Sequence, residues 1–336
     1  MTNNVHRQNK ETGYPDRWWI LAAVSLVLFL GSLDGSIVNI ALPTLTEEFG
    51  TSFTAVQWVI LAYLLGITVL MVHMGRIADV VGKKRVFAPG IAIFLLGTVA
   101  SGLAPTIGVL ILCRFFESIG AAMMLSVGIA IITETWPRRK LGMAIGIASG
   151  FLSIGIVLGP AVGGFLIERF GWRSIFFVNV PFGLVALTLV LRFVPPLRPA
   201  VIRPRFDWGG AVTLAVALLC ATLSLTAGQT RGFMAPLPLA LLTAAAVSTV
   251  LFVLIEQRTA HPVVDLSLFR LPQFSVNLAA SWLVFLAIAG VVLLLPFYLQ
   301  FVLELKVLWV GLMMAIVPVA IGILQPIAGY LSDKLQ

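Results

Sequence analysis

The chain has 336 residues, of which 60% are hydrophobic and only 11% charged, against roughly 25% charged in a typical soluble domain. That is enough apolar side chain to coat a protein outside as well as inside, which excludes an ordinary water-soluble globule. The net charge of +8 would fit nucleic acid as a partner, so the placement of the basic residues has to decide; the two cysteines, Cys113 and Cys220, lie in apolar runs and supply neither a disulfide framework nor a zinc site.

A polar tail, 1–17, precedes ten apolar segments, each near the roughly 20 residues that a helix needs to cross a bilayer. They run 18–40, 54–74, 86–104, 107–131, 141–167, 173–193, 209–227, 237–256, 274–301 and 308–330. Unbroken runs of this length exclude a barrel, whose short strands alternate. The reading is an all-α polytopic membrane protein with ten transmembrane helices. The first segment is too long for a cleaved signal peptide and has no small-residue cleavage site, so it is expected to be retained. The tail before it is expected to be disordered.

The first segment carries an acid, Asp34, within "FLGSLDGSIVNIALP". From Trp18 to Asp34 is 16 residues, or about 24 Å of helix. This puts the acid in the outer part of a hydrocarbon core roughly 30 Å thick, where its charged form is costly. One reading is a carboxylate that binds either a proton or a cationic substrate. The other is a polar residue near the helix exit, wetted by an outer vestibule or hydrogen-bonded to Ser32, Ser36 or Asn39.

The second segment ends in "GRIADVVGKKR", Gly75 to Arg85, and the tenth in "GYLSDKLQ", Gly329 to Gln336. Glycine permits a tight turn, and an acid beside basic residues offers a partner for a helix end or an arginine. One such string is an ordinary charged loop. Two at equivalent positions point to an internally duplicated transporter. In the fourth segment, Arg114 and Glu117 lie three apart and share a helix face, so each lowers the other's cost in a low-dielectric bundle. They read as a static ion pair or as part of proton coupling, with Glu117 tuning Arg114 or carrying a proton. In the fifth, Gly155, Gly159, Gly163 and Gly164 form a stripe for close helix packing, and Pro160 is expected to bend it.

Numbering the segments in order, 17 basic residues fall before the first or at the exits of the even ones, and only Arg169, Arg173, Arg231 and Lys306 at the other ends. This bias predicts a cytoplasmic N-terminus in a cell membrane, and it accounts for the net charge without nucleic acid. His6, His73 and His261 have no metal-ligand spacing. A phosphate-binding glycine loop, a nucleophile elbow and an HExxH string are all missing from the sequence, which argues against an enzyme, a metal site or a nucleotide-driven pump. The 22 phenylalanines, with Trp58, Trp282, Trp309 and Tyr298, suit a lipophilic cation, although many of these rings belong to the lipid face.

Several strings together resemble the major facilitator superfamily, over nearly the whole chain. "GRIADVVGKKR" is similar to its signature between helices 2 and 3, "LCRFFESIGAA" to that of helix 4, and "GIVLGPAVGG" to the Gly-Pro string associated with antiporters. "GWRSIFFVNVPFG", which follows, is also similar to the superfamily, and "LDGSIVNIALP", "FDWGG" and "LPFYLQ" resemble its fourteen-helix drug–proton antiporter branch. The chain departs at Glu117 and Ser118, where the family pattern has glutamine and glycine. The resemblance implies a major facilitator fold with two inserted helices between bundles: an N-terminal six-helix bundle at 18–193, a linker at 194–208, the inserted pair at 209–256, and the first two helices of a second bundle at 257–336. The last four helices of that branch would be missing, as in a fragment or truncated product. Asp34, Arg114 and Glu117 would serve proton coupling and substrate binding. Gly75, Arg76, Asp79, Gly82, Lys83, Lys84 and Arg85, with Asp333 in the second copy, would form a cytoplasmic gate, Asp79 capping a helix of the opposite bundle. Gly155, Gly159, Pro160, Gly163 and Gly164 would limit proton leak. The implied activity is export of lipophilic, often cationic compounds in exchange for protons, with no cofactor and with membrane lipid, substrate and protons as partners. A carrier for a defined metabolite or siderophore, a symporter, and a truncated non-transporting membrane protein are the alternatives.

Overall fold

In the computed structural model, which describes residues 14–197, 207–259, 264–304 and 307–335, each apolar segment becomes a helix. These are α1 (Arg17–Glu48), α2 (Phe53–Val81), α3 (Lys83–Gly102), α4 (Ile107–Thr135), α5 (Leu141–Phe170), α6 (Asn179–Phe193), α7 (Trp208–Arg231), α8 (Pro236–Glu256), α9 (Pro272–Phe297) and α10 (Val307–Leu335). Short helical turns at Arg138–Lys140, Ser174–Phe177, Leu266–Arg270 and Tyr298–Val302 complete the described secondary structure. Among the described residues, 8 spans are long and apolar enough to cross a membrane, the sixth being Ser174–Phe193. The described apolar stretches of α9 and α10 run Pro272–Ala287 and Val319–Ala328. Residues 1–13 of the tail, His6 among them, His261 and residues 198–206 of the linker lie outside the described residues. The end of the tail is ordered, contrary to expectation, because Tyr14 N donates to Thr135 O and Arg17 opens α1.

Local chemistry sets several helix starts. Ser52, Thr106 and Asp207 each accept a hydrogen bond from a backbone N–H in the first turn of α2, α4 and α7, and each satisfies a donor that the helix cannot. Two expectations need correction. α1 does not stop near residue 40 but continues through Pro43 to Glu48, because Ala41 and Leu45 are buried and tertiary packing outweighs the hydrogen bond that proline removes. The predicted loop at Gly75–Arg85 is also mostly helix. α2 runs to Val81, α3 begins at Lys83, and Gly82 alone makes the break, at a φ of 108° that side-chain-bearing residues rarely adopt.

The helix ends that carry the basic residues gather at one end of the bundle. There the Trp136 indole donates to Arg17 O at 3.2 Å, Lys84 Nζ to Leu191 O at 2.8 Å, and Tyr14 N to Thr135 O at 3.1 Å. At the other end Arg173 reaches Glu48 at 3.5 Å and Phe49 packs edge-on against Trp172. Helices α1 to α6 enclose two apolar cores, one toward each end. α7 and α8 pair with each other, Ser224 donating to Pro238 O at 2.8 Å. α7 docks on α2 at the buried His73, whose Nδ1 lies 2.6 Å from Val69 O and whose Nε2 lies 2.7 Å from Ala211 O. Toward the other end of this pair, a cavity of about 640 Å³ opens between it and α1–α2, lined by Asn39, Gln57, Trp58, Thr226 and Arg231 among others.

Candidate functional site

Between the two apolar cores lies a layer of buried polar side chains contributed by several helices. Along α1, Asp34 falls between Leu30 of one core and Ile37 of the other; along α4, Arg114 and Glu117 fall between Leu110 and Ala121. Asp34 and Glu117 are 0% exposed and Arg114 1%. Arg114 Nη1 donates to Asp34 Oδ1 at 3.1 Å and Oδ2 at 2.9 Å, and to Glu117 Oε2 at 2.9 Å. The same guanidinium lies 4.0 Å from the centre of the Tyr63 ring on α2 and 5.8 Å from that of Phe176, in cation–π contact with the nearer ring. Asn179, at the start of α6, donates from Nδ2 to Asp34 Oδ1 at 3.3 Å. On the far side, Thr98 and Ser101 of α3 donate to the two oxygens of Glu117 at 2.5 and 3.3 Å.

Glycines let these helices approach closely enough for the groups to meet. A Cβ on Gly97 would stand 2.6 Å from the Cα of Glu117, and one on Gly90 2.7 Å from the Cβ of Met123. Both contacts are closer than side chains tolerate, so α3 reaches α4 only because those positions are bare. Ser118, the second departure from the family pattern, fills the space left by Gly66 on α2.

The glycine stripe of α5 behaves the same way toward α1. A Cβ on Gly155 would meet Phe29 O at 2.6 Å, one on Gly159 the Cβ of Ser36 at 2.8 Å, and one on Gly163 Ile37 Cγ1 at 2.8 Å. Ser36 donates to Gly155 O at 3.1 Å across this contact. Gly164 has nothing within 4 Å, and α5 runs through Pro160 as continuous helix. Leucine at position 159 is therefore expected to push α1 off α5 and leave little folded protein on size-exclusion chromatography, whereas leucine at 164 leaves the yield unchanged.

Asp34 is thus not the wetted residue near a helix exit that one reading allowed. Ser32 bonds Phe29 O, Ser36 bonds Leu33 O and Gly155 O, and Asn39 bonds Gly35 O, so the acid's hydrogen-bond partners come from α4 and α6. α1 is 32 residues long and Asp34 stands near its middle. The pairing of Arg114 with Glu117 follows the sequence expectation, while its sharing with Asp34 and the parts of Asn179, Thr98, Ser101 and Tyr63 had no sequence signal.

At the basic end, Lys83 Nζ joins Asp79 of α2 at 3.4 Å to Glu134 of α4 at 2.6 Å. Asp333, in the second copy of the string, accepts from the backbone N–H groups of Gly142 and Met143 at 2.8 and 2.9 Å. It caps the first turn of α5, where an anion is favoured. Gly146 and Gly150 of α5 continue this contact, admitting Gln325 O and Gly322 O of α10. Alanine at position 333 removes a cap worth about 1 kcal/mol. Amide hydrogen exchange in the first turn of α5 is expected to quicken on the order of fivefold.

The profile of the Major Facilitator Superfamily matches residues 24–336. The chain belongs to the major facilitator superfamily. Members of this superfamily are membrane transporters rather than enzymes, and they work without a cofactor. The riboflavin transporter RibZ of Clostridioides difficile (strain 630) is 33% identical to this superfamily member over 322 residues, covering 95% of the chain and 68% of RibZ. The multidrug resistance protein Stp of Mycobacterium tuberculosis (strain CDC 1551 / Oshkosh) is 35% identical over 316 residues, 94% of the chain and 59% of Stp. A tetracenomycin C resistance and export protein of Streptomyces glaucescens is 31% identical over 283 residues, 84% of the chain and 53% of that protein. The chain thus spans between about half and two thirds of the length of these relatives. Among solved structures, the proton:xylose symporter XylE superposes with a TM-score of 0.63 at 16% identity, covering 93% of the chain and 68% of XylE. At that identity the likeness speaks for the fold alone.

Proposed function

We propose that this major facilitator chain forms part of a proton-coupled exporter of lipophilic, often cationic compounds. The observation that carries this reading is the charge balance of the buried layer: two carboxylates, Asp34 and Glu117, face one guanidinium, Arg114. Fully ionised, the cluster holds one uncompensated negative charge in a place where an unpaired charge costs several kcal/mol (of order 3–5). It is relieved by one proton or by one cationic substrate, and competition between the two is exchange. Glu117 shares a helix with Arg114 and is held by Thr98 and Ser101, so it is the standing partner. Asp34 comes from another helix and is the exchangeable acid. Relatives named for multidrug resistance and for tetracenomycin C export support this reading.

The excess of basic residues at the end holding Asp79 and Asp333 supports a cytoplasmic placement for that end, and with it a cytoplasmic N-terminus. Asp79 and Asp333 would then act as paired latches of a cytoplasmic gate, Asp333 on α5 and Asp79 on a helix of the opposite bundle. In this reading α1–α6 are one bundle, α7–α8 the inserted pair, and α9–α10 the opening helices of the second bundle.

RibZ favours a second reading, a carrier for a defined metabolite. Everted membrane vesicles containing the full-length protein decide between them. Proton release driven by ethidium and by several unrelated lipophilic cations supports drug export; a response to riboflavin alone supports the second reading and overturns the first.

A further inference from the structure

Asp34 is faced by Arg114 and Glu117 from α4, by Tyr63 from α2 and by Asn179 from α6. These partners are not equivalent. A guanidinium has donors and no acceptor, so Arg114 can donate to an Asp34 oxygen in either protonation state but cannot receive the O–H of the acid. A protonated Asp34 gains an O–H that must itself find an acceptor, since a buried polar group left unsatisfied costs about 1–3 kcal/mol. Asn179 carries one. Its Nδ2 already donates to Asp34 Oδ1 at 3.3 Å, the residue is 0% exposed, and its Oδ1 is buried with no hydrogen-bond partner among the described residues. A carboxamide presents donor and acceptor at nearly the same place, and half a turn about its terminal bond exchanges them.

We propose that Asn179 is a positioning residue for the proton on Asp34, its carboxamide turning over so that Nδ2 donates to the carboxylate and Oδ1 accepts from the carboxylic acid. This rests on the proton-coupling reading above and adds the device that lets the acid load. The proton forms an O–H bond at Asp34 Oδ1, the N–H···O contact is replaced by O–H···O, and no other bond changes. Both protonation states then keep a hydrogen bond to α6, which holds the acid in place while its charge disappears.

The test is infrared difference spectroscopy of the full-length protein in lipid, taken between alkaline and acid pH. The wild-type protein is expected to show a carboxylic-acid C=O band, absent in Asp34→Asn, at the lower wavenumber of an acid that donates a hydrogen bond. In Asn179→Leu the band moves up to the position of a free acid, Asn179→Ser returns it toward the wild-type position, and Tyr63→Phe leaves it in place. If the leucine variant does not fold, Asn179→Ala gives the same comparison with less bulk. A band unmoved when Asn179 is lost, or moved by Tyr63→Phe alone, overturns the assignment while the coupling reading stands. A wild-type spectrum without any band that depends on Asp34 overturns the coupling reading itself, and this assignment with it.

Discussion

Asparagine at position 34 in the full-length protein is expected to reduce drug-driven proton release from everted vesicles to the background of vesicles lacking the transporter. The substitution keeps the shape of the side chain and an oxygen for Arg114, so the protein should still fold and insert. What it removes is the spare charge. Arg114 and Glu117, 2.9 Å apart, are left as a balanced pair, and neither a proton nor a cation gains anything by entering the layer. Exchange at the wild-type rate would show that the acid is structural.

Methionine at position 114 should have the larger effect on stability. It leaves two carboxylates, both fully buried, without their cation, and breaking a buried ion pair from one side costs about 3–5 kcal/mol. Little folded protein is expected, read as a loss of the cooperative thermal transition in detergent. The same argument predicts a rescue. Replacing all three charges, as Asp34→Asn, Arg114→Met and Glu117→Gln together, removes the unpaired groups and should restore the transition, because whole buried ion clusters are often exchanged for neutral side chains without loss. Exchange activity should stay absent in the triple variant. A single Arg114→Met protein as stable as wild type would remove the charge balance from the account of this fold.

The helices were legible because a bilayer demands long apolar runs, and such runs need no tertiary information to recognise. Arg114 and Glu117 could be paired from spacing alone, since positions three apart on a helix share a face. Their meeting with Asp34 could not. It depends on α1 lying against α4 at a particular height, where Gly31 of α1 meets Leu125 and Gly128 of α4 meets Val24, partners distant in sequence. Asn179 stands two residues before Pro181 and Thr98 follows Gly97, surroundings in which a polar residue reads first as a turn former or as ordinary helix packing. Gly82 shows the reverse error. A charged, glycine-bearing string looked like a loop, yet a single residue suffices to turn the chain between α2 and α3.

The spacing of the α5 glycines has a mechanical meaning. Steps of four residues advance only about 40° around a helix, whereas the step of five from Gly150 to Gly155 swings about 140°. Gly146 and Gly150 therefore grip α10 on one side, and Gly155, Gly159 and Gly163 grip α1 on the other. α5 works like an axle clamped at two heights by different partners. Any tilt imposed at the α10 contact would be delivered, through the same stiff rod, to the strip of α1 that bears the acid.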